Sequence, residues 1–440
     1  MLDRRSLLAG MSVVLAACAG GPRPAPVTPA EIPALQAQAR RHPNNAQVRL
    51  RLGAALLSAG RCDTAVVVAR AGQLLAPDNV LGPMVVGGCQ EKAGRHDLAF
   101  ATYSDFTTRY PDARGVAAVR AAAQLALRAH AVQTARTALA RESTLTTLAP
   151  EPATIAVLPV TIAGDSAFQP LSRGLAELLT ADLALVRNLR LLERVQIGAL
   201  LDELQLARSE RAAPGTAARV GRLLRAERMV QGVAAIVENG PVRLSATVVR
   251  GDGTVRSGAQ ANGSFKQLLD LEKQLVFGLA AQLGIQLTAA ERQRILRQGP
   301  RSLAAFLAYS DGLEALDRGD YRGAARAFRA AVQADPGFQA AQQQQQAAEA
   351  APVVHAAGGT GGADVVTVVE SVVEMTAPLE PSAVTAGALS SATLDVTPAL
   401  GDIVTQTGTG ATLTQVTPES QGIASVVEAS GVIRIIFRRP

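Results

Sequence analysis

The chain has no tryptophan, and its 440 residues include only 3% aromatics, four histidines and three cysteines. Flat rings are the usual platform for stacked sugars and single-stranded bases, so their scarcity argues against both ligand classes. His42, His96, His130 and His355 are scattered, and none has a cysteine or carboxylate at metal-ligand spacing, so no metal is expected. There is no Gly-x-Ser-x-Gly elbow, and Gly251-Asp252-Gly253 lacks the Lys and Ser/Thr of a phosphate loop. Neither catalysis nor a cofactor is therefore expected. Beyond residue 17 the apolar stretches are all interrupted by Arg, Glu or Gly, well short of the roughly 20 residues of a spanning helix. Charged residues make up 18% and the formal net charge is +6. The arginines are spread along helical segments as solvated faces, and no nucleic-acid partner is expected. What the chain does have is 48% hydrophobic content, mostly Ala, Leu and Val, enough for two to three packed domains.

At the N-terminus, Arg4 and Arg5 precede an apolar run from Leu7 to Ala17. That charged-then-apolar layout is a secretory signal, too short to span a bilayer. Leu15, Ala16 and Ala17 lead directly into Cys18, followed by Ala19. This resembles the bacterial lipobox, in which the cysteine is lipidated and becomes the new N-terminus. By the same resemblance, Ala19 in place of Asp favours the outer membrane, with the protein on its periplasmic face. The expected division is a signal peptide over 1–17 and a lipidated Cys18 with a Pro-rich linker over 18–34. Cys62 and Cys89 then remain in an oxidising compartment. They form either a disulfide or two small buried thiols.

A repeat follows over 35–145. Pro43, Pro77 and Pro111 are 34 residues apart, and Gly53 and Gly87, Gly60 and Gly94, and Ala65 and Ala99 share the interval. This is the tetratricopeptide period: two antiparallel helices with small residues at their crossing and a proline after the second. The run 113–141 is expected to be a third, degenerate repeat or capping helices. The pattern returns over 300–348 with Gly312, Ala324, Phe328 and Asp335-Pro336. One isolated pair cannot bury its own face, so it is expected to pack on the middle domain or on another copy.

Between the repeats, 153–287 alternates strand and helix signals. A buried strand at 153–159 and a second at 189–192 flank a helix over 171–186. Two more helices come next, followed by a hairpin through Asn239-Gly240, a third strand of that ladder and a long amphipathic helix. Asp165 follows the first strand as a turn residue, and Glu193 with Arg194 is expected to form an ion pair. Ile155-Ala156-Val157-Leu158-Pro159, the segment from Leu191 to Leu204, and Thr216 to Gly232 together resemble CsgG/HfaB-type curli-assembly lipoproteins. They are also similar to relatives with FlgO-like and TolB N-terminal-like domains. Arg225 departs from the glycine usual in that family. No long inserted hairpin is visible, so the resemblance implies the soluble form rather than a pore.

After the polar run Gln342–Gln346 and the glycine-rich 358–362, residues 349–440 read as a low-complexity tail. Val365–Val373 and Val432–Phe437 have β-propensity, and the latter is either an added edge strand or the sticky end of a disordered tail. The expected fold class is therefore multidomain α and α/β. The expected function is that of an outer-membrane-anchored scaffold, attached to lipid through Cys18 and binding protein partners in envelope assembly or export. Self-association into a homo-oligomer is compatible with this. The alternatives are a subunit of a curli-like secretion channel and an activator docked on a cell-wall synthase.

Overall fold

The computed structural model describes residues 27–205, 214–237, 240–359, 364–376, 423–429 and 432–437. The signal motif Leu15, Ala16, Ala17 and Cys18, most of the Pro-rich linker, Asn239 and residues 360–363 lie outside them. The chain divides into two units, Met1–Thr376 and Ala377–Pro440.

The first unit opens with helices α1 (Ile32–Arg41), α2 (Ala46–Ser58), α3 (Cys62–Leu75), α4 (Leu81–Lys92) and α5 (His96–Arg109). Helices α2/α3 and α4/α5 are antiparallel tetratricopeptide-type pairs, each closed by a left-handed glycine, Gly60 or Gly94. The 34-residue pattern marks the crossings. Gly53 meets Ala69, and Gly87 lies so close to the buried Tyr103 ring that an added Cβ would come within 2.2 Å of it. Ala65 and Ala99 are fully buried, while Pro77 and Pro111 sit in the exposed turns that follow α3 and α5.

The segment 113–141 is neither a third pair nor a set of caps. It contains one unbroken helix, α6 (Val116–Ala140), followed by the short α7 (Glu142–Leu145). Twenty-five residues at 1.5 Å each span roughly 37 Å, long enough to serve two cores. Ala118, Ala121 and Ala122 pack in the repeat core, whereas Ala135 and Ala138 pack under the middle domain. A near-continuous alanine surface lets neighbouring helices approach on several sides.

The middle domain comprises β1 (Glu151–Val157), β2 (Thr161–Gly164), α8 (Leu171–Leu183), β3 (Arg190–Leu191), α9 (Arg194–Glu203) and α10 (Pro214–Leu224). It continues with β4 (Ala226–Ile236), β5 (Pro241–Arg250), β6 (Val255–Ser264), α11 (Leu268–Gln282) and α12 (Ala289–Arg297). The six-stranded mixed sheet runs β3-β1-β4-β5-β6, with β2 also on β4. Strands β1 and β2 pair in parallel with successive halves of β4, so they act as one strand broken at Pro159. Proline has no N–H to donate, and Val160 N donates to Ser172 O at 3.0 Å instead of to β4. That break hid β2 in the sequence, where 164–166 reads as loop. Helices α8 and α11 cover one face of the sheet through Leu175, Leu179, Leu271 and Leu275, and α9, α10 and the end of α6 cover the other. Asp165 caps a short 3-10 turn by accepting from Ala167 N at 2.9 Å, an ordinary turn role.

A third helix pair, α13 (Leu303–Asp317) and α14 (Tyr321–Ala334), packs on α8, as expected for a lone repeat. Gly312 faces the buried Phe328 ring, and Ala324 is fully buried. Tyr309 lies 5.4 Å from Phe328 and 4.8 Å from Phe338, centroid to centroid. Pro336 occupies the turn beyond α14. A Cβ at Gly312 would come within 2.4 Å of the Phe328 ring, so Gly312→Ala overpacks the crossing and should cost about 1–3 kcal/mol in chemical denaturation.

The boundaries expected near 348 are overturned. Helix α15 (Gln339–Ala356) crosses that point, and its glutamine run is part of a helix interface. Gln344 accepts from Gln124, and Gln346 accepts from Arg120, both on α6. The valine-rich stretch read as β-prone is a helix, α16 (Val365–Thr376). Val365, Val368, Val369 and Val372 follow an i, i+3, i+4, i+7 stripe and are buried, so a tertiary contact outweighs the β-propensity of valine.

In the second unit, β7 (Ile423–Ala429) pairs antiparallel with β8 (Val432–Phe437). The strand expected at 432–437 thus pairs with its neighbour in the same chain.

Candidate functional site

Three modules meet at a cleft of about 230 Å³ bounded by α6, by α8 and α9, and by the α13/α14 pair. Its central charge is Arg194, the first residue of α9, with a side chain only 9% exposed. Arg194 does not pair with Glu193 as the sequence suggested. Its Nε donates to Glu177 Oε2 on α8 at 3.0 Å, and its Nη1 and Nη2 donate to the two Asp317 oxygens at 2.8 and 3.3 Å. Burial alone lowers the Arg194 pKa, but Asp317 and Glu177 outweigh it and hold the guanidinium above the ordinary arginine value. Burial likewise raises Asp317, and Arg194 with Arg173 reverses that to a net lowering. Arg173 on α8 is the second cation on Asp317.

Asp317 is also the last residue of α13, where helix carbonyls lack partners. Arg128 on α6 supplies donors there, 2.9 Å to Leu316 O and 2.6 Å to Asp317 O. One helix end therefore binds the repeats through its carbonyls and the middle domain through its carboxylate. Close to the same contact, α8 and α13 cross where Gly174 meets Ser310, and Ser310 Oγ donates back to Phe306 O at 2.8 Å. A further bidentate pair ties α7 to α10, with Arg219 donating to Glu142 at 2.7 and 2.8 Å. Charges matched in this way act as a lock between modules.

A second buried cluster lies inside the middle domain. Lys273 Nζ on α11 is 2.5 Å from Asp182 Oδ2 on α8 and 3.3 Å from Glu272 Oε2. Asp182 and Glu272 are both fully buried, and among the described residues Asp182 Oδ1 and both Glu272 oxygens have no hydrogen-bond partner. Burial raises the Glu272 pKa to about 8, helped by the like charge of Asp182 and opposed by Lys273. Burial raises Asp182 to about 6, again against Lys273.

Of the other residues singled out in the sequence, Cys62 and Cys89 are brought together in a disulfide at the base of α3 and the end of α4, with Cα atoms 5.4 Å apart. The repeat-signature residues set helix crossings and turns and do not converge on a site. The Arg194–Asp317 junction was not anticipated. Its only sequence signal was a lone arginine at the start of an apolar helix. Among the described residues, no group of three or more His, Cys, Asp or Glu is placed to hold a metal ion. Nor is any helix among them long and apolar enough to cross a membrane.

Comparison with known proteins agrees with this architecture in its centre. Residues 152–239 match the family described as curli production assembly/transport component CsgG. No curated protein matches the chain. Among solved structures, the crystal structure of yeast Tom70 is similar at 13% identity over 74% of this chain, with a TM-score of 0.21. This chain spans 61% of that structure's length. The match starts one residue after β1 begins and ends just beyond β4, the strands that carry the parallel part of the sheet, so residues 152–239 of this chain form a CsgG-type domain.

Proposed function

We propose that the chain is a non-catalytic protein-docking scaffold of the bacterial envelope, held at the periplasmic face of the outer membrane by acylated Cys18. The observation that carries this reading is the junction. A CsgG-type domain is locked to the α13/α14 pair by the buried Arg194–Asp317 charges, and Arg128 of the N-terminal helices donates to the same end of α13, an arrangement suited to holding binding surfaces at fixed positions. Tetratricopeptide-type helices present extended surfaces for protein partners. Strands β4 and β5 are packed against α10 on one side, and β5 and β6 against α11 on the other, which favours a docking role over a barrel subunit. One acyl chain binds a membrane only reversibly, so the stable anchoring proposed here needs the several chains of a lipoprotein.

The test is made in cells. Cys18→Ser is expected to abolish palmitate incorporation and move the protein from the membrane to the soluble fraction. In vivo crosslinking of the parent is expected to trap envelope proteins. Unchanged fractionation of Cys18→Ser defeats the anchor, and an absence of crosslinked partners defeats the scaffold.

A further inference from the structure

Helix α16 fills a groove formed by the N-terminal helices. It lies against α2 and α4, the first helices of the two N-terminal pairs, against the long helix α6 that follows them, and against α15. Its valine stripe enters the same apolar core as Leu50, Met84 and Ala118. At Gly115, where an added Cβ would come within 3.2 Å of both Val369 and Val373 and 3.3 Å of Val80, the fit is close. The opposite side of α16 carries Thr367 and Glu374, both exposed.

We propose that this groove is a binding site for an apolar helix presented by a partner protein, and that α16 is a displaceable occupant keeping it closed. The proposal deepens the docking reading above by naming the surface and the ligand class. The ligand chemistry is read from the occupant: β-branched residues at i, i+3, i+4 and i+7, with an aspartate at the N-cap.

Three observations make α16 a plug rather than an ordinary core helix. First, twelve residues rich in valine form a helix poorly on their own, so α16 depends on the groove for its conformation. Second, it is joined to α15 only by the short, glycine-rich segment 357–364. Such a short tether gives an effective concentration on the order of millimolar, which a tighter free ligand can overcome. Third, its attachment has a clasp. Asp364 caps the helix, accepting from Val366 N at 3.0 Å and Thr367 Oγ1 at 2.8 Å, and also accepts from Val27 N at 2.7 Å. Val27 is nine residues beyond Cys18, so the clasp joins α16 to the stem that would lead to the membrane anchor.

The test uses the full chain and a fluorescent synthetic peptide of residues 364–376, followed by anisotropy. Val369→Asp puts a charge into the groove contact, and Asp364→Ala removes the clasp. The peptide is expected to bind Val369→Asp at least tenfold more tightly than the parent, with Asp364→Ala in between. Equal affinity for all three, or binding to none while circular dichroism shows them folded, overturns the proposal. If light scattering finds the variants dimeric and dilution to monomer abolishes peptide binding, the groove serves a second copy and the partner assignment fails. If Val369→Asp does not fold, hydrogen exchange on the parent decides. Opening of 365–376 independently of α2, α4 and α6 supports the plug, and exchange only through global unfolding overturns it. A negative result here leaves the scaffold itself to the crosslinking test above.

Discussion

Replacing Arg194 with methionine is expected to cost about 3–5 kcal/mol in urea unfolding, the range for removing one partner of a buried ion pair. The side chain is 9% exposed and makes three charge-assisted hydrogen bonds to carboxylates on two different modules. Without it, Asp317 keeps Arg173 but loses its fully buried partner, and the bond between α9 and α13 disappears. Most of the cost is the desolvated carboxylate left behind, not the strength of the pair itself. Adding Asp317→Leu to Arg194→Met should therefore recover more than half of the loss. Glu177 is one-third exposed and can be rehydrated in both variants. A double-mutant cycle separates coupling from simple truncation. A single-variant cost below about 1 kcal/mol would place the pair among weak surface bridges and remove it as the lock between modules.

The second large effect depends on pH. Glu272 is fully buried between α8 and α11, with its folded pKa raised to about 8, and Asp182 is raised to about 6. For an acid whose folded pKa exceeds its unfolded value, the unfolded state releases its proton first as pH rises. The stabilising contribution is complete below the unfolded pKa near 4.5 and is lost as pH climbs to about 8. Glu272→Gln mimics the protonated acid and cannot ionise. It should be nearly neutral at pH 5 and stabilising by roughly 2–4 kcal/mol at pH 8. Parallel urea titrations of parent and variant from pH 4 to 9 read the difference, in which titrating groups that do not interact with Glu272 cancel and the altered titration of its neighbour Asp182 remains. A variant that is equally stable relative to the parent at both ends would show that the folded pKa of Glu272 is not raised, Lys273 having compensated its burial.

The period of 34 residues was legible because it is local chemistry. A glycine must stand wherever a ring from the partner helix fills the space, as at Gly87 under Tyr103 and Gly312 under Phe328. The CsgG-type segment was legible for a similar reason, since its apolar runs alternate between strand and helix lengths. Two elements were misread because the deciding contacts are remote. Residues 365–376 have strand-forming side chains, and only the groove of α2, α4 and α6 makes them helical. β2 is short and isolated in sequence, and it becomes a strand because β4 extends past Pro159 to meet it. The Glu193–Arg194 pairing failed because neighbours at a helix start point apart, while partners 17 and 123 residues away are brought to the guanidinium.

The sequence alone determined the helix pairs, the alternating middle domain and the lipobox-like start, because each rests on spacing between near neighbours. Only the tertiary structure decided that α6 serves two cores, that Asp317 binds two modules, and that α16 fills the groove. These depend on groups more than a hundred residues apart, whose burial and charge matching exist only once the chain has closed on itself.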